Sequence, residues 1–126
     1  MVQVVRPADW QREPGNAAGM ERAIAVSQST VGSTNLYTAV VTTPPGESTR
    51  LHHHGECETS IYIASGRAKF TWGPTGVEHE LLSEAGDIVF IPAHEIHTEQ
   101  NPSTTEPLVV VVTRNCPGSV VHYVDG

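Results

Sequence analysis

The stretch Gly46-Glu47-Ser48-Thr49-Arg50-Leu51-His52-His53-His54-Gly55-Glu56-Cys57-Glu58-Thr59-Ser60-Ile61-Tyr62-Ile63-Ala64-Ser65-Gly66 decides how the rest of the chain is read. Imidazoles, carboxyls and a thiol crowd the seven positions from His52 to Glu58. Such a density of ligand-capable atoms is costly to bury unless a metal ion satisfies it. In an extended strand successive side chains alternate faces, so His52 and His54 point one way and His53 the other. Two imidazoles about 7 Å apart on one face converge on a single ion if the strand curves. A carboxylate, hard and anionic, is the natural further ligand, and simple parity admits both Glu58 and Glu56.

On either side the chain is a series of short runs rich in β-branched residues, separated by turns. Upstream, Glu21 to Val26 and Leu36 to Thr42 read as strands. Pro44-Pro45-Gly46 stops the second, because proline cannot donate into a ladder and glycine accepts a positive φ. Downstream, Ile61-Tyr62-Ile63 and Arg67 to Trp72 flank Ser65-Gly66 with the grammar of a hairpin. Further strands are expected at Val77 to Leu82, Ile88 to Ile91, His94 to Gln100, Leu108 to Thr113 and Val120 to Val124. At the start, Val2 to Val5 predicts a short strand and the rest of residues 1–20 an arm, with at most one helical turn near Asp9 to Arg12. No interval sustains a helical period, so the expectation is an all-β sandwich or barrel of antiparallel strands. At 126 residues this is one domain, 1–126, large enough to bury its own core.

A net charge of −7 with seven Lys plus Arg excludes the basic footprint that nucleic acid or an anionic membrane would need. No apolar run approaches the roughly 20 residues that span a bilayer. The N-terminus lacks the basic start and apolar stretch of a secretory signal, so a cytoplasmic location is expected. Cys57 and Cys116 could pair, but two are too few to suggest a disulfide framework, and they are expected to be reduced, Cys57 as a small buried hydrophobe.

A second spacing supports the first. Gly86, Pro92, His97 and Asn101 are separated by five, four and three residues, with His94 two after Pro92. Together the two stretches resemble the paired motifs of the cupin family, small jelly-roll β-barrels of antiparallel strands. The resemblance implies that His52, His54, Glu58 and His97 hold a divalent transition metal, Mn, Fe, Zn, Ni or Co. Seven residues separate Glu58 from Gly66 where the family has six, which predicts a bulge after Glu58 and leaves Glu56 as the alternative carboxylate. His94 replaces a turn glycine, so that turn must admit a Cβ at positive φ.

Three imidazoles and a carboxylate leave positions open on a six-coordinate ion, and an open site is the mark of catalysis. His94 and Tyr62 are the candidate catalytic groups beside it, against the plainer readings of a surface turn residue and a core aromatic. Arg50 is a candidate to hold an anionic substrate; His53 faces away from the metal by alternation, and His79 and His122 show no partner in the sequence. The implied function is a metal-dependent enzyme acting on a small oxygenated molecule, with isomerase-, cyclase- or lyase-like chemistry or dioxygenation. The alternative is a non-catalytic cupin that binds a small metabolite or metal. The resemblance further implies a homodimer paired through edge strands.

Overall fold

Alternation of side chains decides which way the central strands face. In Tyr37–Thr43 the buried positions are Tyr37, Ala39, Val41 and Thr43, and in Leu108–Arg114 they are Leu108, Val110, Val112 and Arg114. Thr59–Ser65 buries Thr59, Ile61 and Ile63 and turns Ser60, Tyr62 and Ala64 outward. These apolar residues meet Ile24, Phe70 and Ile91 in one core. Burying a side chain of this kind contributes about 1.5 to 3 kcal/mol, and one-residue slips would expose the whole set.

The computed structural model describes residues 1–124 and contains eleven strands in two antiparallel sheets. In chain order they are β1 (Gln11–Pro14), β2 (Glu21–Val26), β3 (Tyr37–Thr43), β4 (His52–His53), β5 (Thr59–Ser65), β6 (Arg67–Trp72), β7 (His79–Glu84), β8 (Ile88–Ile91), β9 (His97–Gln100), β10 (Leu108–Arg114) and β11 (His122–Tyr123). One sheet runs β1-β2-β3-β10-β5-β8 and the other β11-β4-β9-β6-β7. This is the expected all-β jelly roll, with one correction. The two sheets are not hydrogen-bonded into a closed barrel: β8 ends one and β7 the other, and they do not pair.

Gly66 shows why the β5–β6 turn needs its glycine. Its φ is +83°, and a Cβ there would lie 2.5 Å from the Pro107 carbonyl oxygen, a conformation and an approach that side chains rarely tolerate.

Other expectations are corrected. Val2 to Val5 forms no strand; a single 3-10 turn at Pro7–Asp9 follows it, and the N-terminal strand is β1 instead. A one-turn helix, α1 (Gln28–Val31), starts at Ser27, whose hydroxyl accepts from the Thr30 amide while Thr30 Oγ1 accepts from the Ser27 amide. That reciprocal cap stabilises a turn too short to show a helical period. The bulge predicted in the strand after Glu58 is found at the far end of β5, where Val109 faces Ser65 and Val110 faces Ile63 and Ala64 is skipped. Finally, Cys57 and Cys116 are joined by a disulfide, with Cα atoms 5.9 Å apart. Their closeness arises only from folding, when the turn after His54 meets the loop after β10. No helix among the described residues is long and apolar enough to cross a membrane.

Candidate metal centre

Two rows of polar residues face each other between the sheets. On the first sheet Arg114 is the register partner of Tyr37 on one side and Thr59 on the other, so the inward ends of three adjacent strands form a polar floor. Opposite it, His52 of β4 pairs with His97 of β9. His54 follows β4 by one residue and, by alternation, returns to the face of His52.

The nitrogens of His52, His54 and His97 lie within 4.8 Å of one another, and all three residues are buried. The three rings are held alike: the Nδ1 of His52 is 2.7 Å from the Arg50 carbonyl, that of His54 2.7 Å from the Val120 carbonyl, and that of His97 2.8 Å from the Glu95 carbonyl. A carbonyl oxygen only accepts, so each Nδ1 carries the hydrogen and each Nε2 presents a lone pair. Burial, the main cause in every case, lowers the pKa of His52 to about 3, of His54 to about 2 and of His97 to about 4. All three are neutral at pH 7, the state in which imidazole binds a metal.

Glu58 is not brought to this cluster. It is exposed at the end of a turn, with its backbone N–H donating to Asn115 Oδ1 at 2.8 Å. Glu56 is exposed too. The residue that enters the site is the next one, Thr59, whose Oγ1 accepts from Arg114 Nε at 3.3 Å. Six residues separate Thr59 from Gly66, the spacing Glu58 misses, so the signal was present in the count.

Tyr62 and His94 are likewise outside. Tyr62 is 43% exposed on the outer face of β5. His94 is exposed at φ 63°, as the missing turn glycine requires, and its N–H donates to the Gly55 carbonyl at 2.7 Å. Its ring lies 6.2 Å from that of His53, which stacks on His122 at 5.0 Å. The Arg50 guanidinium lies over the Tyr123 ring, 4.1 Å from its centroid.

Two charged residues escaped the sequence reading. Arg114 is buried, with Nη2 3.4 Å from His54 Nε2, and burial lowers its pKa to about 10. Glu99 is only 7% exposed and lines the same small cavity as the three histidines; burial raises its pKa to about 7, opposed by Arg114. Its spacing of two from His97 on one strand was the available signal.

That inner cavity measures about 30 Å³, the scale of an ion with a water. A second cavity of about 300 Å³ reaches His97 from the open side of the sandwich, with walls that include Phe70, Trp72, Leu81, Val89 and Phe90. Three preoriented neutral imidazoles are a donor set that suits a divalent transition metal, and the residues therefore fit one.

The profile of the cupin domain matches residues 39–114. Among solved structures, Bacillus subtilis oxalate decarboxylase, described for its Mn(II) centres, is 25% identical with a TM-score of 0.79 over 94% of this chain and 31% of its own. The Lactobacillus farciminis oxalate decarboxylase formate complex is 22% identical, with a TM-score of 0.78 over 93% of this chain and 34% of its own. The present chain thus spans about a third of the length of these decarboxylases. The polyketide cyclase RemF from Streptomyces resistomycificus is similar over 100% of this chain and 87% of its own, at 21% identity and a TM-score of 0.79. No protein of curated function matches the sequence.

Proposed function

The chain belongs to the cupin family, and from that premise we propose that it is a metal-dependent enzyme acting on a small oxygenated organic molecule. The observation that carries this reading is the common tethering of three imidazoles by backbone carbonyls, which leaves three Nε2 atoms converging. His52, His54 and His97 hold the ion. Among Mn, Fe, Zn, Ni and Co, the Mn(II) centres of the 25%-identical decarboxylase favour manganese. When bound, the ion supplies Lewis-acid polarisation of a substrate oxygen.

The chain's own groups do the rest. The backbone carbonyls of Arg50, Val120 and Glu95 fix the rings, and such tethers preserve ligand geometry. The apolar walls of the larger cavity receive the substrate body and exclude water. Arg114, beside His54, is placed to orient an anionic oxygen at the centre. The reaction is of the isomerase, cyclase or lyase type. A small molecule is the ligand, and the assembly is a homodimer, which light scattering checks.

Metal analysis of protein purified without a tag, beside His97→Ala, tests the reading. Screening the loaded protein for turnover of small oxygenated acids and phenolics separates an enzyme from a non-catalytic binder.

A further inference from the structure

We propose that Glu99, and not Glu58, supplies the carboxylate of this metal centre. The inference rests on the reading of the three histidines as ligands. Three observations carry it. Thr59 fills the inward position at the start of β5 where a carboxylate was expected, and Glu56 and Glu58 are in solvent. Glu99 shares β9 with His97 at a spacing that puts both side chains on one face, and it is the one acid lining the inner cavity among the described residues. Its Oε1 is buried and meets no hydrogen-bond donor.

A buried carboxylate oxygen without a donor is unfavourable by itself. The cavity's other charged residues are Arg22 and Arg114. Arg22 is engaged by Glu13, at 3.2 Å, and by Asn16, at 2.7 Å. Arg114 directs Nε to Thr59 and Nη2 to His54. A divalent ion on three neutral imidazoles brings two positive charges that no other cavity-lining acid offsets. Glu99 offsets them, either on the ion or through a water on it; both arrangements make the same prediction for affinity. The carboxylate has moved from the first motif strand to the second, two residues beyond the last histidine.

The test is titration of the metal-free full chain with Mn²⁺ alone at neutral pH, followed calorimetrically and by Mn²⁺ electron paramagnetic resonance. Glu99→Gln keeps the shape and removes the charge; it should weaken Mn²⁺ binding about 10- to 100-fold. Glu58→Gln should bind as the parent does. Glu99→Leu, which removes the buried polar atoms altogether, provides a second variant if the first folds poorly, with circular dichroism reporting the fold. Equal affinity of parent and either folded Glu99 variant overturns the inference, as does a loss confined to Glu58→Gln. If Glu99 were only a counter-ion to Arg114, Glu99→Gln would change stability and leave affinity untouched. A parent chain that binds no Mn²⁺, while Zn²⁺ also fails to load, overturns the metal reading itself.

Discussion

His97 stands opposite His52 in the register of β4 and β9, with ring centroids 4.3 Å apart. This one pairing brings together two stretches of sequence that each hold an incomplete site. The first contributes His52 and His54, the second His97 and Glu99, and the floor of Arg114 and Thr59 comes from the facing sheet. The chemistry therefore depends on the two sheets facing each other.

Metal-free protein should gain stability as pH rises from about 4.5 to 6.5 and level off above that range. The three imidazoles have folded pKa values of about 2 to 4 against 6.5 unfolded, so below pH 6.5 the unfolded chain binds more protons and stability is lost as pH falls towards 3. Glu99 runs the other way. Its pKa is raised to about 7 from 4.5, so its contribution is full below pH 4.5 and lost as pH rises to about 7. Between 4.5 and 6.5 three imidazoles outweigh one carboxyl and stability rises. Urea unfolding of metal-free protein across pH 4 to 8 checks this; a flat profile between 4.5 and 6.5 contradicts it.

The disulfide should be a large stabilising element. Cys57 and Cys116 are 59 residues apart, and closing a loop of that length constrains the unfolded chain by about 2 to 4 kcal/mol. Cys57→Ser with Cys116→Ser, or reduction, should lower stability by that amount in urea unfolding. A change under about 0.5 kcal/mol, small against that expectation, would show that the bridge does not constrain the chain.

His94→Gly should stabilise the protein. At φ 63° a Cβ is strained by roughly 1 to 2 kcal/mol, and glycine returns part of that as chain entropy in the unfolded state. The expected net gain is about 0.5 to 1 kcal/mol, with Mn²⁺ affinity unchanged because the residue is outside the cluster. A loss of stability would show that the exposed imidazole makes a contact worth more than the strain.

Much of this fold was legible because period-two alternation states a strand's face directly. Arg67–Trp72 and Ile88–Ile91 fall where the sequence puts them. The second motif was legible down to the positive φ of His94, since a turn glycine is a statement about backbone geometry. The carboxylate was not. Glu58 and Thr59 are neighbours in the chain, and only the count back from Gly66 distinguishes them. Glu99 and Arg114 read as ordinary charges on strands, and their burial is decided by which sheet each faces. Val2 to Val5 had strand-forming residues and no partner strand, and a strand without a ladder leaves its backbone groups to water. The pairing of Cys57 with Cys116 is a tertiary event, and composition alone pointed the other way.

The most direct test of the central claim is the metal content of untagged protein, before and after loading with Mn²⁺ or Zn²⁺, measured for the parent and for His97→Ala. The loaded parent should hold about one equivalent and a folded His97→Ala should retain none. Less than roughly a tenth of an equivalent in the parent with none loadable, or undiminished metal in His97→Ala, would contradict that claim.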